Sequence, residues 1–337
     1  MGVLAMIVYL GCYTDETHTN GLMAVELDTS TGGMKVVAEY PVPNALYQAL
    51  SPDGRILYSC TGDGLASFRA DGAKLEAIDK VAIGRSQCHV CAMPDGRRVV
   101  WADYTGGFAG SVEVDDGRFG ALVRHDHSGS GPNLPRQDKA HCHQAMPTPD
   151  GKSYCVVDLG LDEVVTYPEG RRFQTAPKGA GPRHLAFHPN GRLAFLIYEL
   201  GNLVSSLSWS AEEGFRTLDT QPTLPPGDTG RGYNGDLGAA VRLTPDLKRV
   251  VVSNRGENSL VSYDFDESTG KLSLKRRTLL PGSWPRDFAF VSENLALVTM
   301  ERSGEVHSLR YDPATGGFEV LSTIGGLFRP VALSGHF

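Results

Sequence analysis

Ala49-Leu50-Ser51-Pro52-Asp53-Gly54 is an apolar run closed by a tight turn, and a second apolar run follows it. The phrase returns as Ala92-Met93-Pro94-Asp95-Gly96, Pro147-Thr148-Pro149-Asp150-Gly151, Phe187-His188-Pro189-Asn190-Gly191 and Leu243-Thr244-Pro245-Asp246-Leu247. A degraded copy is Phe290-Val291-Ser292-Glu293-Asn294, and a final apolar run, Pro330-Val331-Ala332-Leu333, has no turn after it. The turn proline recurs every 40 to 56 residues, at Pro52, Pro94, Pro149, Pro189 and Pro245. A period of this size means a solenoid or a propeller, and strands on both sides of a tight turn select the propeller.

The fourth copy shows one unit. His184 to Phe187 reads as an inner strand, and Asn190-Gly191 as a hairpin turn that tolerates positive φ. Strands over Arg192 to Tyr198, Leu203 to Trp209 and Phe215 to Leu218 complete a four-stranded antiparallel blade. Seven inner strands are expected, starting near Tyr47, His89, Gln144, His184, Ala240, Asp287 and Val331. The N-terminus opens on a second-type strand, Ala5 to Cys12, followed by Leu22 to Leu27 and Met34 to Tyr40. The C-terminus supplies only a first strand. Together these make one blade that closes the ring and leaves no free sheet edge. The expectation is an all-β, seven-bladed β-propeller, one domain over residues 1–337.

Composition excludes several partners. The net charge is −7, with no basic run to track nucleic acid. No stretch approaches the roughly 18 apolar residues of a membrane span. Met1 to Leu10 is apolar but lacks a basic flank and a small-residue cleavage site; its hydrophobicity is that of the closing strand, and a cytoplasmic location is expected. Nothing in the sequence separates a monomer from a dimer. Cys88-His89-Val90-Cys91 has metal-knuckle spacing, but on a strand the two cysteines face opposite ways and no second pair follows. The six cysteines read as free thiols packed as small apolar residues, and neither metal nor cofactor is expected.

Hairpin geometry locates a site. The start of each inner strand lies beside the end of the next strand, and all these ends share one face around the central channel. Six residues before each turn stand Leu46, Cys88, His143, Arg183, Ala239 and Arg286; nine or ten after it stand Asp103 and Tyr104, Asp158, Glu199, Asn254 and Arg255, and Glu301. One rim thus gathers a histidine, three arginines and several carboxylates. The longest connections, Arg124 to His141 and Gln221 to Gly238, rise over the same face, where long loops often wall a site. A plain structural account competes at each position. Arginine–carboxylate pairs can tie blade to blade, and Glu199 can simply pair with Arg183. His184, Asp287, Asp158 and Asp162 read better as structural groups, and His188 lies at the opposite face.

Gly181-Pro182-Arg183-His184-Leu185-Ala186-Phe187-His188-Pro189 and then Tyr198-Glu199-Leu200 closely resemble the signature of the seven-bladed propeller lactonases. That family includes propeller-type 6-phosphogluconolactonases and the fungal carboxy-cis,cis-muconate cyclase. His141-Cys142-His143, Asp158-Leu159-Gly160-Leu161-Asp162, Ser253-Asn254-Arg255-Gly256-Glu257-Asn258-Ser259 and Pro285-Arg286-Asp287-Phe288 look like further segments of the same family, in order from about Ile7 to the C-terminus. The resemblance implies a catalytic group of His143, Arg183, Glu199 and Arg255, with His141, Arg286, Asp158, Tyr104 and Glu301 toward the substrate. Two positions depart from the pattern: Ala240 stands where an acid is common, and Glu301 where an amide is common.

The implied reaction is hydrolysis of a sugar lactone, above all 6-phospho-D-glucono-1,5-lactone to 6-phospho-D-gluconate in the pentose phosphate pathway. It requires a base for water, either His143 or Glu199, and a donor for the oxyanion, which an arginine supplies. A second arginine can hold a carboxylate or phosphate through a two-bond fork. No Gly-x-Ser-x-Gly nucleophile motif occurs, which favours direct attack by water. A lactonising cyclase would use the same groups in the other direction. A non-catalytic binding propeller would instead show Trp-Asp repeats or an aromatic rim, and this chain has neither.

Overall fold

The computed structural model describes residues 5–84, 86–226 and 235–337. Among them every regular element is a strand, and the strands form seven four-stranded antiparallel sheets, the seven blades of a β-propeller. The closing blade has the order β28-β1-β2-β3, from Pro330–Ser334, Ala5–Cys12, Leu22–Asp28 and Met34–Tyr40. In it Leu10 faces Leu333 and Gly11 faces Ala332, as the termini predict. Among the described residues no helix is long and apolar enough to cross a membrane.

Alternation along each strand puts its apolar side chains between blades. Phe195, Ile197 and Val204 of one blade pack on Val241, Val250, Val252 and Tyr263 of the next, all buried. At about 1.5–3 kcal/mol for each large side chain buried, these seams dominate the stability of the ring. A repeated polar tie supplements them. Ser67, Ser206, Ser262 and Ser308 each donate to the carbonyl of a turn glycine in the following blade, namely Gly117, Gly270, Gly316 and Gly32, at 2.5–2.6 Å. Each of these glycines has positive φ, between 72° and 83°, which permits the tight turn.

The inner strands depart from expectation in an informative way. They are β4 (Gln48–Leu50), β8 (Gln87–Ala92), β12 (Cys142–Pro147), β16 (Pro182–Phe187), β20 (Leu237–Leu243), β24 (Pro285–Ser292) and β28. Most start two or three residues earlier than the hydrophobic pattern predicts, because a β-bulge interrupts the alternation near the channel mouth. Cys142 faces Asp158 and Gln144 faces Val157, so His143 has no partner. Cys88, Arg183 and Arg286 are left out of their ladders in the same way. Backbone donors around the bulges find side chains: Ser253 Oγ accepts from Ala240 N at 3.0 Å, and Thr299 Oγ1 from Asp287 N at 3.1 Å. A bulge re-aims side chains. Here it lets consecutive residues, Arg183 with His184 and Arg286 with Asp287, line the same small void in the channel, where an unbroken strand would send them to opposite faces.

Candidate active site

A cavity of about 550 Å³ opens at the channel mouth. His143, Tyr104, Glu199, Arg255, Arg286 and Glu301 line it, together with Arg136, Trp284, Arg302 and Arg329. The second strands supply the walls. β9 (Arg98–Asp103), β13 (Tyr154–Asp158), β17 (Leu193–Tyr198), β21 (Arg249–Arg255) and β25 (Leu295–Met300) end at this face. The tenth residue after the turn enters the cavity, as Tyr104, Glu199 and Arg255 do. Asp103 and Asp158, one step earlier in the repeat, turn into the loops instead. Asp103 accepts from Gly106 N at 2.7 Å, and Asp158 from His141 N at 2.8 Å and Gly160 N at 2.9 Å.

Glu199 is the electrostatic hub. Its carboxylate meets Arg255 Nη2 at 2.8 Å, Arg183 Nε at 3.1 Å and Arg136 Nη2, all nearly buried with it. Burial alone would raise its pKa, but Arg255, Arg136 and Arg183 outweigh that and hold the carboxyl well below the usual range. The group is therefore a fixed anion and a poor base. Arg183 sits one layer deeper, in the void below the cavity floor. Its Nη1 donates to Ala239 O at 2.6 Å, and its Nε meets Glu199 as an ion contact without hydrogen-bond alignment. Burial and the Arg255 charge lower its pKa. Arg255 donates from Nη2 to Gly238 O at 2.7 Å, and its Nε has no acceptor among the described residues. A second pairing lies across the cavity, where Glu301 takes Arg286 at 2.7 Å and Arg329 at 2.5 Å.

His143 is buried beside these charges, and its Nδ1 has no partner among the described residues. Burial first, then Arg183, push its pKa well below 6.5, so the ring is neutral. It packs edge-on against His184 at 5.2 Å and Tyr104 at 5.5 Å. His184 in turn meets His89 at 5.6 Å, and His89 stacks on Tyr47 at 4.0 Å, so a column of neutral rings continues down the channel. Beneath them Asp287 is paired with Arg242 at 2.7 Å.

Two residues expected at the substrate do not reach the cavity. His141 stacks on Tyr104 at 4.4 Å and is held by Asp138 at 2.9 Å, behind the wall. Asp158 is fully buried, anchoring the Leu159-Gly160 loop and receiving His127 at 2.8 Å. His127, Cys142 and Asp158 bring three ligand-type atoms within 4.8 Å of one another. Both ring nitrogens of His127 are already engaged, however, one by Asp158 and one by Tyr167 at 2.9 Å. Cys88 and Cys91 do not converge: Cys88 points its thiol at the His143 carbonyl at 3.3 Å and Cys91 at that of Ala92 at 3.7 Å. Burial raises both thiols to about 12.

Arg136 was not anticipated. It comes from the long connection after β11 (Arg118–Asp126), whose shape is set by buried Gln137, bonded to Leu159 O at 2.8 Å and Asn133 N at 3.0 Å. The available signal was that Arg136 is the sole arginine between His127 and His141. Of the other long connection, Leu237 lines the cavity; residues 227–234 lie outside the described residues.

A family model described as "Lactonase, 7-bladed beta-propeller" matches residues 7–326. The chain belongs to that family. It is 31% identical to the 6-phosphogluconolactonase of Bacillus subtilis, over 97% of each chain. A periplasmic gluconolactonase of Pseudomonas aeruginosa superposes with a TM-score of 0.89 at 27% identity, covering 98% of both chains. A Lactobacillus plantarum protein does so at 0.88 and 29%, covering 98% of this chain and 99% of its own. This lactonase is accordingly an enzyme that hydrolyses a sugar lactone, a small-molecule substrate.

Proposed function

We propose that this lactonase converts 6-phospho-D-glucono-1,5-lactone to 6-phospho-D-gluconate, the pentose phosphate step, by direct attack of water. One observation carries the reading: a neutral imidazole and a guanidinium with an unassigned donor line one cavity in which, among the described residues, positive charge exceeds negative. The full-length likeness to a 6-phosphogluconolactonase supports the phosphorylated substrate. Such a charged sugar is retained inside the cell, which is consistent with a cytoplasmic enzyme.

In this mechanism His143 takes a proton from water as its oxygen bonds to the lactone carbonyl carbon. Arg255 donates to the oxyanion that forms. As the tetrahedral centre collapses, the bond from that carbon to the ring oxygen breaks and His143 returns the proton to the leaving oxygen. The imidazolium exists only transiently, and Glu199 stabilises it. Arg136 and Arg183 fix Glu199, which in turn fixes Arg255. A positioned base is worth about 10²- to 10⁴-fold and an oxyanion donor about 10²- to 10³-fold.

The test is a hydrolysis screen over phosphorylated and unphosphorylated sugar lactones with spontaneous opening subtracted. Highest kcat/KM on the 6-phospho lactone is expected. No acceleration of any sugar lactone, with turnover of a carboxymuconate lactone instead, would move the assignment to a cyclase.

A further inference from the structure

Two aromatic residues at the cavity rim each carry two arginines. Tyr13 lies under Arg329 at 4.0 Å and Arg286 at 5.4 Å. Trp284 lies under Arg302 at 3.3 Å and Arg255 at 5.5 Å. The four do not have equal freedom. Arg286 and Arg329 are committed to Glu301, and Arg255 to Glu199. Arg302 is exposed, and no carboxylate among the described residues pairs with it. Stacking fixes the plane of its guanidinium while leaving the donor edge open, the geometry that suits a two-bond contact to a phosphate or carboxylate.

The platform is built at some backbone cost. Trp284 has φ of 74°, a region that bulky residues rarely adopt. Three contacts hold the segment there: Trp284 N donates to Asn258 Oδ1 at 2.8 Å, Glu301 N to Trp284 O at 3.0 Å, and Arg302 N to Ser283 O at 3.1 Å. Glu301 and Arg302 follow directly on β25, so one short turn delivers both. Backbone held off its ordinary regions is common where a ligand is clamped.

Charge points the same way. The lining residues include Arg136, Arg255, Arg286, Arg302 and Arg329 against Glu199 and Glu301, an excess of three positive charges among the described residues. Breaking a neutral lactone ring needs one oxyanion donor, the role given to Arg255, so Arg302 has no task in that chemistry. Arg255 at the floor and Arg302 at the rim share one indole, so a single small molecule can reach both.

We propose that Arg302, laid on Trp284, is the specificity-determining handle for a phosphate ester on the substrate, gripping the phosphate at the rim while the lactone carbonyl sits against Arg255. The proposal rests on the lactonase reading above, and it names the residue that distinguishes a phosphorylated substrate from a plain one.

The test compares binding of 6-phosphogluconate and gluconate by calorimetry, so that the phosphate is the one difference and no turnover is needed. Wild type is expected to prefer the phosphorylated acid by about 10- to 100-fold. Arg302→Ala should remove most of that preference, and Arg302→Lys should restore only part of it, because an ammonium cannot offer the planar fork. Circular dichroism of both variants should match wild type, as the side chain is exposed. Equal binding of the two acids by wild type, or an undiminished preference in Arg302→Ala, would overturn the handle. Failure of the hydrolase reading looks different: wild type would keep the phosphate preference yet accelerate the opening of no lactone.

Discussion

Replacing Glu199 by glutamine keeps the shape of the hub and removes its charge. Arg136, Arg183 and Arg255 then lose the one carboxylate that all three contact in a nearly buried site. Arg183 already feels the Arg255 charge, second only to burial, as a force against its own ionisation. Leaving buried charge uncompensated typically costs about 3–5 kcal/mol. Unfolding entropy near 2.1 cal/mol/K per residue, over 337 residues, makes each kcal/mol worth about 1.4 °C in melting temperature. Glu199→Gln should therefore melt about 4–7 °C below wild type. The sign of a second effect is opposite to ordinary intuition about a damaged site: added phosphate should raise the melting temperature of Glu199→Gln more than that of wild type, because an anion can enter the vacated role. The assay is calorimetry at fixed pH with and without phosphate. A Glu199→Gln variant that melts with wild type, or that gains no more than wild type from phosphate, would refute the claim that this carboxylate holds three cations together.

Arg183→Ala should lower kcat/KM by about 10²-fold by loosening Glu199 and, through it, the oxyanion donor; Arg183→Lys should recover little, since it lacks the planar fork whose Nε and Nη1 reach Glu199 and the Ala239 carbonyl from two separate nitrogens. In the fold, His89 has its pKa lowered to about 3, and His143 and His184 lie well below 6.5, in each case through burial and then arginine charge. The unfolded chain binds these three protons below pH 6.5 and the fold does not, so stability should be level above that pH and fall below it, by up to about 4 kcal/mol per pH unit. Urea titrations at pH 7.5, 6.5 and 5.5 read this, and a pH-independent midpoint would contradict it. For the same reason kcat/KM on an unphosphorylated sugar lactone, which has no group of its own titrating there, should after background subtraction show no limb with an apparent pKa near 6.5. Deleting residues 330–337 removes buried Val331 and Leu333 with the closing ladder; a loss of at least about 3 kcal/mol is expected, and an unchanged melting temperature would count against closure by the termini.

The periodic part of this molecule is the part that could be read from residues alone. Turn prolines fix where each hairpin reverses, so the seven blades, the shared terminal blade and the cluster of His143, Glu199, Arg255, Tyr104, Arg286 and Glu301 at one mouth all follow from counting. Counting fails where direction matters. Asp158 and Glu199 stand one step apart in the repeat, and the pleat turns the first into its loop and the second into the cavity. Arg183 shares its place in the count and its bulge with His143 and Arg286, yet of the three it alone lines only the layer beneath. Arg136 follows no period, because a loop anchored by Gln137 places it. Trp284 and Arg302 escaped for a similar reason: one sits in a strained lead-in and the other one residue past the position counted in a shortened hairpin.

The most direct test of the central claim is initial-rate hydrolysis of 6-phospho-D-glucono-1,5-lactone, spontaneous opening subtracted, by wild type, His143→Ala and Arg255→Ala. The account predicts a clear wild-type rate and losses in kcat/KM of about 10²- to 10⁴-fold for His143→Ala and 10²- to 10³-fold for Arg255→Ala. Near-wild-type rates in both variants, with their folds intact, would contradict it.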